Sequence, residues 1–239
     1  MNRRFLPIFL FFTVLAATVV TAGAQEHDPG YYPEVLRGEV WVELEPIYGD
    51  RPDVEYPVTR ETAGRRALQG AALYYAGMIY GWSFHYDIGE RARDIAEVFE
   101  FEPMGEIRWG DPALNITEVE PRDSRLRVWT DYHMSEVQQK RLQMWRMDMV
   151  RNAQGIGYCP IQGPSPDSGW MEIQNAVLKD AARAAIRAML RGSERNRPKE
   201  ATGFISLASF PRFFIDSGQW VTAARFRVQI NEIIPFAAY

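Results

Sequence analysis

Alternation and helical spacing divide the chain into readable segments. From Glu39 to Glu45, Val40, Val42 and Leu44 share one face, while Glu39, Glu43 and Glu45 share the other with Trp41. This predicts a half-buried strand with a solvated acidic face; the same face with Trp41 also reads as a carbohydrate or cation site. Gly49-Asp50-Arg51-Pro52 breaks the strand. Thr59 to Tyr80 predicts a helix, because Ala63, Ala67, Ala71, Tyr74, Tyr75 and Met78 recur at three- and four-residue spacing and Gly81 stops the run. Gly64, Gly70 and Gly77 each weaken it by about 1 kcal/mol relative to Ala, so tertiary packing must hold it. A second helix is predicted from Asp87, with Asp87 and Glu90 as a capping-box variant and Ile88, Ala92, Ile95, Ala96 and Phe99 as its stripe. Strands follow near Leu114 to Val119 and Arg125 to Tyr132, then a helix capped by Ser135-Glu-Val-Gln138 and running to about Val150. Residues 152–169, rich in Gly and Pro, read as a linker. Trp170 to Arg191 is the strongest helix, apolar nearly all round near its middle, with Gly192 as its stop. Residues 203–215 and 219–230 read as a hairpin turning at Asp216-Ser217-Gly218.

The N-terminus changes the picture of compartment. Arg3 and Arg4, the apolar run Phe5 to Val20 and the small residues Ala22-Gly23-Ala24 have the three parts of a secretory signal peptide, residues 1–24. The run is shorter than the roughly 20 residues that cross a bilayer as a helix, so the expected mature chain from Gln25 has no transmembrane segment and is periplasmic. With 27 basic and 31 acidic side chains before cleavage, loss of Arg3 and Arg4 leaves a net charge of about −6. A chain with no basic tract is a poor partner for nucleic acid, whose phosphates need concentrated Lys and Arg. The single cysteine, Cys159, excludes an intrachain disulfide, so the core must hold the fold.

The two halves rhyme. Each has an Ala-rich helix ending near Gly (Gly81, Gly192), and Arg125-Leu126-Arg127-Val128 matches Arg225-Phe226-Arg227-Val228. The expected fold is α+β: two related units, 25–151 and 170–239 joined by the linker 152–169, each an Ala-rich helix packed on a small mostly antiparallel sheet. The strand Glu39 to Glu45, the Gly49-Asp50 turn, the helix led by Ala63-Gly-Arg-Arg-Ala-Leu-Gln-Gly-Ala71 and the strand around Arg125 to Tyr132 resemble the N-terminal domain of the periplasmic flagellar assembly protein T. They are also similar to the related small outer-membrane lipoproteins, although the N-terminal Cys of those lipoproteins is absent. Asp180-Ala-Ala-Arg-Ala-Ala-Ile186 and the hairpin ending at Val228 are similar to the same unit. The resemblance implies a non-catalytic envelope component associated with a flagellar basal structure, and it implies no catalytic residues.

Candidate chemistry is sparse. His27 lies in the polar lead-in, His133 at a strand-to-helix junction, and His85-Tyr86-Asp87 would set an imidazole near a carboxylate that the helix cap already explains. Cys159 reads as a nucleophile, an intermolecular disulfide partner or an inert thiol. Asn115-Ile-Thr117 is a sequon, relevant only in a host that glycosylates exported chains. A Gly-x-Ser-x-Gly elbow, a phosphate-cradling loop and a Gly-x-Gly-x-x-Gly fingerprint are absent from the sequence. These readings assign no catalytic residue, metal or cofactor. The aromatic group Tyr74, Tyr75, Tyr80, Trp82, Phe84 and Tyr86 has two readings, core or partner-binding surface; the apolar C-terminus from Ile233 to Tyr239 has the same two. The expected partner-binding residues are Trp41, Tyr74, Tyr75, Tyr80 and Trp82. The expected function is a non-catalytic periplasmic structural or adaptor protein with a protein partner in the envelope; the alternative is a binding module for a small ligand or glycan.

Overall fold

The computed structural model describes residues 34–46, 56–90, 93–165, 168–193 and 198–235. The expected signal peptide (residues 1–24), His27, the expected Gly49–Pro52 turn and residues 236–239 of the apolar tail lie outside the described residues. The described elements are β1 (Val35–Glu43), α1 (Arg60–Ile79), β2 (Trp82–Asp87), β3 (Val98–Pro103), β4 (Leu114–Arg122), β5 (Arg125–His133), α2 (Glu136–Met144), β6 (Arg151–Pro160), α3 (Trp170–Ser193), β7 (Pro198–Leu207), β8 (Arg212–Asp216) and β9 (Gln219–Pro235). They form two antiparallel sheets, one ordered β1-β5-β4 and one ordered β3-β2-β7-β9-β6 with β8 also paired to β9. The fold is α+β.

Local chemistry explains the ends of the elements. Thr59 caps α1, its hydroxyl accepting the Thr62 N–H at 3.2 Å. Gly81, at φ +70°, turns the chain out of α1 while its N–H donates to Ala76 O at 3.1 Å. Ser135 and Gln138 form a full capping box at α2. Ser217 and Gly218, at φ +50° and +73°, close the β8–β9 hairpin as the two central residues of a tight turn between the paired Asp216 and Gln219.

α1 packs against both sheets. Its Tyr75 hydroxyl donates to Thr130 O on β5 at 2.7 Å, while its far end lies against Trp82 of β2 and Leu207 of β7. This explains why Ala63, Ala67, Ala71, Tyr74, Tyr75 and Ala76 are all buried. α3 lies on the inner face of the larger sheet, where Gly155 and Gly157 of β6 meet its backbone: a Cβ at either would overlap the Ala181 or Val177 carbonyl. Glycine there serves close approach of strand and helix. Trp41, Trp170, Phe213 and Trp220 form an aromatic cluster joining β1 to α3, β8 and β9.

Five expectations change. The segment from Asp87 is the turn of the β2–β3 hairpin: Asp87 Oδ1 accepts the Gly89 N–H at 2.9 Å and Glu90 bridges Ile95. Period-two burial of Trp82, Phe84 and Tyr86, paired with β7, outweighs the weak helical stripe. The helix capped by Ser135 stops at Met144 rather than Val150, with Trp145 as its C-cap. The expected linker contains β6, and the division into two units, each with its own sheet, is not how the strands are shared, because β2 and β3 join β7, β9 and β6 in one sheet. Glu43, expected on a solvated face, is buried where β1 enters the interior, and its carboxylate accepts the Tyr56 hydroxyl at 2.9 Å.

Candidate functional site

The five residues expected to form a partner surface are distributed through the interior. Tyr74, Tyr75 and Trp82 are buried. Trp41 is half-buried, its indole N–H donating to Phe213 O at 2.7 Å and one ring face covered by the Arg125 guanidinium at 4.2 Å. Tyr80 is half-buried, and its hydroxyl accepts from Gln138 Nε2 at 2.9 Å. Aromatic rings of this size are drawn into the core by their apolar area once a sheet closes over them, so these residues do not make a shared exposed surface.

One of them, Trp82, borders a cleft of about 610 Å³ between α1 and α3. The cleft follows from small residues on facing helices. Gln69, Ala72, Leu73 and Ala76 line it from α1, and Met171, Asn175, Ala176 and Lys179 from α3; spacings of three and four set each group on one helix face. Ala72, Ala76 and Ala176 leave room that larger side chains would fill. Trp82 and Phe101 stack as the floor, centroids 4.8 Å apart and 17° from parallel. Gly77 permits that floor, since a Cβ there would overlap the Trp82 ring. The segment after β3 brings Ile107 and Trp109 to the wall; Ile107 is buried and Trp109 is 62% exposed.

The lining is mainly apolar, with Gln69, Glu106, Asn175 and Lys179 as its polar members. Asn175 Nδ2 is engaged with Met171 O at 2.9 Å, whereas Lys179 is exposed. A concave, ligand-sized, mostly apolar site with a few polar groups suits an amphipathic small molecule. Among the described residues the cleft lining holds no serine, cysteine or histidine, and Glu106 and Lys179 are its ionisable members. Sequence reading misses Leu73, Phe101, Trp109, Met171 and Lys179 because five separate segments meet here; the local signal is the pair Ile107 and Trp109, the apolar residues between Gly105 and Gly110.

The other singled-out residues do not converge on the cleft. His85, on β2, lies between Glu100 of β3 and Glu200 of β7, at 3.6 and 3.7 Å. His133 ends β5 exposed, its backbone N–H donating to Ala113 O. Cys159 is buried against α3, and burial, with Asp180 and Glu172 nearby, pushes its thiol up, away from the thiolate that nucleophilic attack requires.

Fold and cleft together define an α+β protein with a mainly apolar cleft between α1 and α3. The chain belongs to the protein family whose model matches residues 27–236. It is similar to an uncharacterized protein of Treponema pallidum (strain Nichols), 24% identical over 203 residues that cover 84% of this chain and 81% of that protein. No solved structure matches significantly. No helix among the described residues is long and apolar enough to cross a membrane.

Proposed function

We propose that the chain is an exported, non-catalytic binding protein of the cell envelope that holds an amphipathic molecule in the α1–α3 cleft. The observation that carries this reading is the aromatic floor and alanine-lined walls with Lys179 at the rim. The apolar part of the ligand lies on Trp82, Phe101 and Leu73, and an anionic or acceptor head group faces Lys179. Export rests on the sequence of residues 1–24.

The test is a fluorescence titration of the purified protein with 1-N-phenylnaphthylamine, an apolar probe. The proposal expects saturable binding, a change in tryptophan emission as Trp82 and Trp109 meet the probe, and at least tenfold weaker binding in Ala176→Phe, whose ring fills the cleft. Absence of saturable binding, or an Ala176→Phe variant that binds like wild type, overturns it.

The adaptor reading is supported by a separate feature. Ile116 and Val119 on edge strand β4 are exposed and border a groove of about 350 Å³ shared with Arg60, Gly64, Pro121, Leu126 and Val128. The β4 edge is blunted by Glu118, Glu120, Pro121 and a bulge after Ile116, devices that discourage strand addition. An adaptor would therefore use the apolar groove and not the strand edge. Co-purification of a defined envelope partner, lost in Ile116→Glu/Val119→Glu, would support this second reading; recovery of the same proteins with the variant would remove it.

A further inference from the structure

Three thioethers stand in the open at the end of α2 and in the turns that follow it. Met144, Met147 and Met149 are 57%, 58% and 72% exposed, whereas Met78, Met104, Met134, Met171 and Met189 are buried or half-buried. An exposed methionine is ordinary by itself; three within six residues concentrate soft donor atoms in one turn.

The backbone holds that turn in place. Trp145 is buried between the first two methionines, and its indole N–H donates to Ile79 O at 3.1 Å, fastening the segment to the end of α1. Successive three-residue turns follow: Arg146 N–H to Gln143 O at 2.9 Å, Met147 N–H to Met144 O at 3.4 Å, and Val150 N–H to Met147 O at 3.0 Å. The bond from Met147 N–H to Met144 O closes a turn that brings these two residues near each other, and Met149 lies in the next turn, closed by Val150 N–H. Unbranched thioether side chains with three rotatable bonds adapt readily to a shared centre.

We propose that Met144, Met147 and Met149 form a binding site for one soft monovalent cation, Cu(I), through their three sulfur atoms. Thioether sulfur is a soft, neutral donor that favours Cu(I), whereas Ca²⁺, Mg²⁺ and Mn²⁺ prefer oxygen. The ligands have no proton to lose, so binding persists at acid pH where thiolate and imidazole sites fail. They also form no disulfides, so the site functions in the oxidising compartment implied by the N-terminus. Arg146 and Asp148 carry opposite charges within the same turn, so the turn adds no net charge that would favour a dication. The site is distinct in residues from the α1–α3 cleft.

The experiment is anaerobic competition between the purified protein and bicinchoninate for Cu(I), read from the colour of the Cu(I)–bicinchoninate complex. The expected result is one Cu(I) withdrawn per chain, at pH 5 as at pH 7, at least 100-fold weaker binding in Met144→Leu/Met147→Leu/Met149→Leu, and wild-type binding in Ala176→Phe. Failure of the wild-type protein to compete, or undiminished competition by the triple variant, overturns the proposal. A readout on the wild-type protein guards against a variant that misfolds: with ¹³C-methyl methionine, Ag(I) should shift the methyl signals of Met144, Met147 and Met149 together and leave the buried ones. Shifts spread over all methionines, or none, also overturn it.

Discussion

At the residue scale, the glycines of β6 carry the most information. Gly155 and Gly157 read in sequence as linker composition, yet each occupies a position where strand backbone meets helix backbone without space for a methyl group. The obstructing atoms are carbonyls and amides of α3, which cannot rotate aside as a side chain can. Gly157→Ala is therefore expected to destabilise the protein by about 1–3 kcal/mol, the usual range for overpacking. The check is a urea titration in which the midpoint falls while the slope stays constant, marking lost stability without a change in exposed surface. An unchanged midpoint would mean that β6 and α3 separate freely. Tyr75 illustrates the opposite case, a polar atom deep in the core that is satisfied: its hydroxyl donates to Thr130 O at 2.7 Å. Tyr75→Phe leaves that carbonyl without this donor, so a loss of about 1–2 kcal/mol is expected in the same titration.

At the element scale, legibility depended on whether the deciding partner was local. The stop of α1 at Gly81, the capping box that starts α2, the β8–β9 turn and the strands β1, β4 and β5 were readable because each is specified by a few adjacent residues. The segment after Asp87 was misread because its helical stripe is local, while β2, the strand that β3 pairs with, is itself held by β7 more than 100 residues onward, with Asp87 paired to Glu200. The cleft was illegible for the same reason, being assembled from five segments. α2 offers a clean test of local specification. Ser135 receives the Gln138 N–H, and Gln138 in turn accepts from Ser135 N and donates to the Tyr80 and Tyr132 hydroxyls at 2.9 and 2.8 Å. Ser135→Ala should cost about 1 kcal/mol, the worth of a helix cap, and lower the melting temperature by about 2–4 °C for a chain of this size. Gln138→Ala should cost more, because it also strips two tyrosines that join α2 to α1 and β5. Equal losses for the two variants would show that the bonds to Tyr80 and Tyr132 contribute nothing.

At the scale of the whole molecule, stability rests on one interior shared by both sheets and both long helices, without a disulfide. That interior holds several tyrosines whose ionisation is opposed by burial. Tyr75 is pushed up to about 12, with desolvation the largest cause; Tyr74 is raised by the same effect, and Tyr86 by desolvation together with its bond to Glu97. An unfolded tyrosine loses its proton near pH 10. Between about pH 10 and 12 the folded protein therefore retains protons that the unfolded chain releases, so stability falls as pH rises through this window. Below pH 10 both states keep the phenolic protons, and these groups give the folded state no pH dependence. The expected alkaline titration, followed by tyrosinate absorbance, begins with exposed phenols near pH 10 and ends with a steep step as the core opens, coincident with loss of the circular dichroism signal. If every tyrosine ionised gradually near pH 10 while that signal persisted, the aromatic residues would have to reach solvent in the folded state. That outcome would also revive the reading of Tyr74 and Tyr75 as a partner surface, which their packing against Phe210 and Tyr132 opposes.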